Sequence, residues 1–415
     1  MIARIAVLGG SSVYTPEFIS SIIAHNLGVK EIVLMGRTAR KLHLVAGFCQ
    51  RLFDKNGFPT KVYSTTDVKE AAKGAKYVVN QIRVGGMMAR ARDEGIPPQF
   101  GMVGDESLGA GGFANAARTL PVVLDYARKV EKVAKEAIFI DLTNPMSMIV
   151  EALAKYSSLQ VIGICDTPMV YCQRISKVLN TNVQNLRVDY FGLNHLGWIQ
   201  DVKINGRSCM NRLLDRVVRK QPEGFDVELA RLFRMIPTKS VSAYFRSNEI
   251  VKKQSEMVKF RGEELYEAEQ QILNLYKDED LCEVPELTRH RNAHWYELSI
   301  VPLIETMENA EPRNLVLCVQ NNGALRGLPD DAAVEVPAEV SKKGIEVKRV
   351  GESPWFLRGL LCAVKASERL AIEAIVHNSY DTALRALVIN PLVPSMDAAR
   401  QFLDKIIEEE RLPLH

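Results

Sequence analysis

The sequence predicts an α/β fold in which a doubly wound parallel sheet is followed by a mixed α+β domain, and three observations predict it. Short apolar runs rich in Val and Ile recur through the N-terminal third, amphipathic stretches of helical length separate most of them, and a glycine pair, Gly9-Gly10, stands directly after the first run. The runs cover residues 4–8, 31–35, 60–64, 76–82, 137–142 and 160–165. Strands buried on both faces read as continuous apolar runs, so a parallel sheet with right-handed crossovers is expected, with ligands at the carboxyl ends of its strands. The first helix has a marked start. Thr15 is expected to cap it, Pro16 to take its first position and Glu17 to face the positive end of its dipole. After Pro168 the texture changes. Residues 188–204 alternate as antiparallel strands do, a turn is expected at Asn205-Gly206, and mixed-charge helical segments are expected over 249–277 and 368–388. No repeat or Pro/Gly-rich linker interrupts the chain, so its two parts, 1–167 and 168–415, are expected to share an extensive interface.

The 415 residues suffice for two or three domains. A net charge of +3, with Lys and Arg scattered among acids, gives no case for nucleic acid. The seven cysteines, at 49, 165, 172, 209, 282, 318 and 362, are odd in number, widely spaced and without a CxxC pair, which suits a reducing compartment, so the cytoplasm is expected. No apolar run approaches the roughly 18 residues that span a bilayer, and no secretory signal pattern opens the chain. The expected partner is a small molecule rather than nucleic acid or membrane.

Gly9, Gly10, Ser11 and Ser12 lie between the first strand and the Thr15-Pro16 helix start, where backbone N–H groups and a helix dipole can hold a pyrophosphate. Ser11 and Tyr14 replace the second and third glycines of GxGxxG, so the letters alone also fit a plain tight turn. Their position, in the first β-α turn of a doubly wound pattern, favours a Rossmann-type dinucleotide domain over residues 1–167. The second strand ends at Met35-Gly36-Arg37 without the acid that usually takes the adenosine ribose. Arg37 either accommodates a 2′-phosphate, which keeps NADP open beside NAD, or is a solvated surface residue.

Three arginines, Arg83, Arg90 and Arg92, surround Gly85-Gly86 in the segment leaving the fourth strand. Guanidinium forks bind phosphate or carboxylate bidentately; the other reading pairs them with Asp93 and Glu94. Asn144, at the end of the fifth strand, can serve sugar hydroxyls or a cofactor ribose, or make an Asx-turn. Cys165 and Asp166 end the sixth run, and Asn194-His195 follows Gly192-Leu193. A soft thiolate and an imidazole, each delivered by a short stiff segment, can hold one divalent metal on a surface built for a dinucleotide. An inert core cysteine and a helix-capping Asp166 are the plainer alternatives.

These pieces, in this order, resemble glycoside hydrolase family 4, whose NAD- and metal-dependent glycosidases depart from the two-carboxylate mechanism. The matching segments are 9–16, Arg83-Val84-Gly85-Gly86 with Arg90 and Asp93-Glu94, 104–112 with Arg118, Thr143-Asn144-Pro145, Cys165-Asp166-Thr167-Pro168 and 192–195, then Tyr244, Arg291 and Asn321-Asn322-Gly323. Cys165-Asp166-Thr167-Pro168 is similar to the phospho-sugar branch. The Arg-x-Gly-Gly segment and the short length resemble the 6-phospho-β-glucosidases, whereas Asp after the Cys resembles the 6-phospho-α-glucosidases. Two departures stand out: the missing acid at Gly36-Arg37, and segment 289–296, which replaces a glycine-rich stretch of the β enzymes.

The resemblance implies hydrolysis of a phosphorylated glycoside, a 6-phospho-β-glucoside, to glucose 6-phosphate and aglycone, with the 6-phospho-α-glucosidase reaction as the alternative. In the family, hydride passes transiently from sugar C3 to the nicotinamide, the C2 proton is removed, the aglycone is eliminated, and water addition with re-reduction completes hydrolysis. The resemblance assigns a divalent metal, expected to be Mn²⁺, to Cys165 and His195, and the C2 base to Tyr244, with the metal or Arg246 favouring its phenolate. It assigns the leaving-group acid to Asp166 and substrate contacts to Arg90, Asn144, Asn194 and Arg291. Gly9, Gly10, Ser11, Ser12, Arg37 and Arg83 are expected on the cofactor, and a homo-oligomer, dimer or tetramer, is expected through residues 168–415. A 2-hydroxyacid dehydrogenase would share the first half, but it calls for a catalytic His in a Gly-x-His-Gly setting, where this chain has Gly192-Leu193-Asn194-His195-Leu196.

Overall fold

The six apolar runs become six parallel strands. In the computed structural model, which describes residues 1–291, 293–309 and 311–415, they are β1 (Ile2–Leu8), β2 (Val29–Met35), β3 (Lys61–Thr65), β4 (Tyr77–Asn80), β5 (Ile138–Asp141) and β6 (Gln160–Gly163). They pair in the order 3-2-1-4-5-6. Alternate residues of β1 enter different cores, Ile5 and Val7 on one face and Ala6 and Leu8 on the other. A strand enclosed on both sides leaves no face for polar residues, which is why residues 5–8 read as uniformly apolar. Helices α1 (Thr15–Ala24), α2 (Ala39–Lys55), α3 (Val68–Ala72), α4 (Gly86–Gly95), α5 (Gly109–Glu131), α6 (Met146–Tyr156) and α7 (Thr167–Leu179) occur between and after these strands. The order reverses between β1 and β4, which opens a crevice at the strands' carboxyl ends.

The start of α1 corrects two expectations. Tyr14, not Thr15, is the N-cap, and no side chain caps the helix. Thr15 Oγ1 instead accepts a hydrogen bond from Gln81 Nε2 at 3.0 Å, tying the helix start to the segment after β4. Thr15 takes the first helical position and Pro16 the second, one place later than expected, while Glu17 lies in the first turn as expected.

The sheet continues past β6. Gly163 pairs antiparallel with Cys318 in the strand Arg313–Gln320, which pairs along its length with Ala333–Ser341. Glu335 there pairs with Gly192 of β7 (Leu186–Leu193), and β8 (Leu196–Ile204) follows, giving one mixed sheet of thirteen strands among the described residues. The 188–204 run thus divides into two strands whose hairpin turn is Asn194-His195 itself, with His195 at φ 65°. Asn205-Gly206 makes the next turn, into Arg207–Ser208. The long helical segments also divide. Residues 249–277 form Ser247–Ser255 and Arg261–Leu275, the second opened by the Phe260 N–H donating to Glu263 at 2.8 Å. Residues 368–388 break at Asn378, φ 55°, between Trp355–His377 and Tyr380–Val388. The solvated, charged faces run across both breaks, so the pattern does not show where the axis turns. Among the described residues no helix is long and apolar enough to cross a membrane.

Candidate active site

The site starts at the glycine turn after β1. Gly9 has φ 87°, and a Cβ there would lie 2.8 Å from the Gln81 carbonyl oxygen; at Gly10 it would lie 2.7 Å from Leu34 Cβ. Both glycine N–H groups donate to the Met35 carbonyl, at 2.9 and 2.8 Å. The turn is pressed against the end of β2, leaving Gly9, Ser11 and Ser12 on a cleft of about 580 Å³. Gly10 does not line it, because its N–H is spent on Met35 and its Cα packs on Leu34. A turn closed to side chains and followed by a helix start fits a dinucleotide pyrophosphate. Gly36, Arg37, Arg83, Arg90, Asn144, Cys165, Asp166, His195 and Arg291 line the same cleft.

One corner is cationic. Arg83 pairs with Glu106, Arg90 Nη1 lies 3.2 Å from the same carboxylate, and Arg90 Nε donates to Glu94 at 2.7 Å. The Arg291 guanidinium lies 4.8 Å from the centre of the Tyr14 ring and 5.0 Å from that of Trp295. Burial, then repulsion from Arg83 and Arg90, pushes Arg291 down to about 10. Burial alone would raise Glu106, but the guanidinium groups of Arg83 and Arg90 hold it well below the usual carboxylate range. Three cations against two carboxylates, Glu106 and Glu94, leave an excess of positive charge for an anion. Arg92 is elsewhere: residues two apart on a helix face different sides, and it pairs with Glu410 at 2.6 Å while Asp93 pairs with Arg118 at 2.6 Å. Asn144 reaches Glu106 at 3.4 Å and its carbonyl accepts from Asn115 at 2.9 Å.

The opposite corner holds groups with protons to lose. Cys165 Sγ lies 3.3 Å from Thr167 Oγ1 and 3.8 Å from Asp166 Oδ1. Burial, then the carboxylates of Asp166 and Glu335, pushes the thiol up. Asp166 is the N-cap residue of α7, but its side chain makes no capping hydrogen bond. Burial raises its carboxyl, against the imidazoles of His195 and His294. His195 Nδ1 is sealed from solvent with no partner among the described residues. Asn194 lies behind the cleft, its amide donating to Glu335 Oε1 at 3.0 Å, while the Tyr190 hydroxyl donates to the other oxygen. An orphaned ring nitrogen, a thiol whose thiolate lacks a counter-charge and a neighbouring carboxylate fit a divalent metal. Among the described residues no three His, Cys, Asp or Glu are grouped to hold an ion by themselves. Substrate oxygens would therefore complete such a shell.

Tyr244 does not line the cleft. Its hydroxyl is buried without a partner among the described residues, and the ring packs with Val103 and Leu108, which flank the segment carrying Glu106. Arg246, expected to favour the phenolate, turns instead to Asp226 at 3.2 Å and Glu228 at 2.6 Å. Burial, with the charges of Glu368 and Asp105, pushes the phenol up. Sequence reasoning also missed Glu106 and Glu335. Glu335 did carry a signal, a lone acid in the apolar strand Val334-Glu335-Val336.

The family 4 glycosyl hydrolase model matches residues 4–181, and the model of that family's C-terminal domain matches residues 190–393. The chain belongs to glycosyl hydrolase family 4. Among family 4 relatives it is 34% identical to a "Probable 6-phospho-beta-glucosidase" of Bacillus subtilis, covering 98% of this chain and 96% of that one. It is also similar to the 6-phospho-β-glucosidase of Thermotoga maritima, whose structure with manganese, NAD⁺ and glucose 6-phosphate superposes with a TM-score of 0.91 at 30% identity, over 99% of both chains. A 6-phospho-α-glucosidase from gut microorganisms, solved with NAD and glucose 6-phosphate, gives a TM-score of 0.90 at 27% identity, over 99% of this chain and 98% of that one.

Proposed function

We propose that this family 4 enzyme hydrolyses 6-phospho-β-glucosides to glucose 6-phosphate and an aglycone, using a nicotinamide dinucleotide and a divalent metal, Mn²⁺. The observation that carries the reading is one cleft joining the glycine turn, the Arg83–Arg90–Arg291 corner and the Cys165–His195 corner. When bound, the cofactor and metal supply a transient hydride acceptor and a Lewis acid for the oxidised sugar. The rest falls to the chain's own residues. Cys165 and His195 would hold the metal. Arg90 and Arg291 take the phosphate through charge-assisted hydrogen bonds, and Arg83 stays on the cofactor side. Asn144 orients a sugar hydroxyl from the cleft wall, whereas Asn194 acts from behind, through its bond to Glu335. Tyr244 removes the C2 proton; its hydroxyl lies outside the cleft and burial holds it up, so the step requires that the hydroxyl be brought to the sugar and that positive charge favour its phenolate. Asp166, raised by burial, has the direction of shift a proton donor to the leaving oxygen needs.

Within this reading residues 1–167 bind the dinucleotide and 168–415 the sugar, with self-association as a dimer or tetramer. Seven free cysteines support a cytoplasmic location. The dehydrogenase alternative gives way to the family match over both halves. Asp166 after Cys165 favours one second reading, the 6-phospho-α-glucoside. The test is release of nitrophenol from α- and β-glucosides, with and without the 6-phosphate, dinucleotide and Mn²⁺. Release from the 6-phospho-β-glucoside only when dinucleotide and metal are both present is expected. Preference for the α anomer would establish the second reading, and full turnover after charcoal and chelator treatment would refute both.

A further inference from the structure

The carboxyl end of β2 is where a doubly wound domain meets the adenosine ribose, and an acid there usually accepts the ribose hydroxyls. Here the geometry places Gly36 at that point: β1 and β2 pair in register through Leu8 and Met35, and the Met35 carbonyl takes both glycine-turn N–H groups. The acid is missing, and its place is closed as well. A Cβ on Gly36 would lie 3.0 Å from Ser11 Cβ and Oγ and 3.3 Å from Leu42 Cδ1, so a carboxylate side chain could not stand there without moving its neighbours. Cations take over the same wall. Arg37 and Lys41, with the hydroxyl-bearing Thr38 between them, line the cleft beside Gly36.

The balance of charge at this end is uneven. Glu269, from the helix Arg261–Leu275, is the carboxylate lining this end, and it is already paired with Lys41. Arg37 is exposed and has no hydrogen-bond or ion-pair partner among the described residues. Helix α2 begins with Arg40 and Lys41 in its first turn and no acid there, and its N-cap Thr38 makes no side-chain cap. Cations at the positive end of a helix dipole are unfavourable unless an anion joins them. A nicotinamide dinucleotide lying along the glycine turn offers two candidates for this wall, a bare ribose diol or a 2′-phosphate; a diol would leave Arg37 without a counter-charge.

Resting on the nicotinamide-dependent reading above, we propose that this pocket is built for the 2′-phosphorylated dinucleotide, NADP, with Arg37 and Thr38 receiving the 2′-phosphate and Lys41 supporting them. Gly36 then serves by carrying no acid that would repel the phosphate, which Arg37 and Thr38 take on the open wall beside it.

The measurement is equilibrium binding to the purified enzyme by calorimetry or tryptophan fluorescence, without sugar or metal, so that turnover plays no part. NADP⁺ is expected to bind about tenfold or more tighter than NAD⁺, as loss of a charge-assisted contact implies, and the gap should narrow as salt is raised. Adenosine 2′,5′-bisphosphate should outbind 5′-AMP in the same way. Arg37 is exposed, so Arg37→Gln should fold normally; it is expected to lose most of the NADP⁺ preference while leaving NAD⁺ affinity unchanged. Glu269→Gln should leave NAD⁺ binding unaltered. Equal or tighter binding of NAD⁺ by the wild type overturns the inference, as does equal weakening of both dinucleotides in Arg37→Gln. Loss of NAD⁺ binding in Glu269→Gln would also overturn it, by giving the ribose to that carboxylate. Binding of neither dinucleotide would overturn the nicotinamide-dependent function itself.

Discussion

At the arginine corner Glu106 sits among Arg83, Arg90 and Arg291 and stays ionised; at the thiol corner Cys165, Asp166 and Glu335 sit beside one another, and burial pushes all three up. Both corners are sheltered from water. What differs is the sign left over. In the first, three guanidinium groups face two carboxylates, Glu106 and Glu94, and burial with mutual repulsion already lowers Arg291. In the second, potential anions face each other with an orphaned imidazole nitrogen between strand and hairpin. Burying charge without compensation is costly, so each corner is more stable with its missing counter-charge: an anion at the arginines, a cation at the thiol. A phosphorylated sugar bridging the two, with a metal at the second, satisfies both.

The most severe way to break this comparison is at the thiol corner. Chelation is expected to abolish turnover, and Cys165→Ala should lower it by more than about a hundredfold while dinucleotide binding survives. Undiminished activity of the variant at ordinary Mn²⁺ would remove Cys165 from the metal site. Next in size is Tyr244→Phe, which should slow turnover by about 10²–10⁴-fold and suppress exchange at C2. Wild-type product formed in D₂O should carry deuterium at C2; protium alone would remove Tyr244 as a solvent-exchanging base.

At the arginine corner, Arg291→Gln should weaken the phosphorylated substrate by about 1.5–3 kcal/mol, with little change for its unphosphorylated analogue. Because it deletes a buried, repelled cation, thermal stability should not fall; equal losses on both sugars would take Arg291 off the phosphate.

The smallest effect sharpens the contrast between buried acids with and without cations. Asp141, at the end of β5, accepts from Asn80 at 2.7 Å, and burial pushes it up to about 8. A carboxyl raised on folding is more protonated in the native state than in the unfolded one. Its contribution therefore falls as pH rises from about 4 to about 8, by about 1.4 kcal/mol per unit. Glu106, lowered on folding, has the opposite sign: its stabilisation is present above about pH 4 and lost on acidification. Denaturant melts at pH about 6 and about 7 should show the decline in wild type and a flatter response in Asp141→Asn. Parallel slopes would show that Asp141 ionises normally.

The end of the cleft proposed for the adenosine belongs with what was legible in the chain. Gly36 and Arg37 depart from the usual acid, and the structure adds the reason: Ser11 and Leu42 close the space above Gly36. Tyr244 was less legible, since nothing in its local pattern shows that its hydroxyl is buried behind residues 103–108 or that Arg246 turns to Asp226 and Glu228. The Asn194-His195 hairpin hid for a related reason. Its strands on either side continue the same alternation, and only the pairing of Leu193 with Leu196 shows where the chain reverses.

The doubly wound half, the glycine turn, the arginines of one corner and the Cys165–Asp166–His195 set of the other were readable from the chain alone, whereas Glu106 and Glu335 were not. The readable features depend on local period, on the steric demand of a closed turn and on donor chemistry, all written in neighbouring residues. Tertiary structure alone decided the charge states: Glu106 ionised by Arg83 and Arg90, Glu335 set behind Asn194, and Tyr244 and Asp141 buried away from cations. Desolvation and Coulomb energy depend on which distant segments converge, and that convergence is set by a sheet joining residue 163 to residue 318 and residue 335 to residue 192.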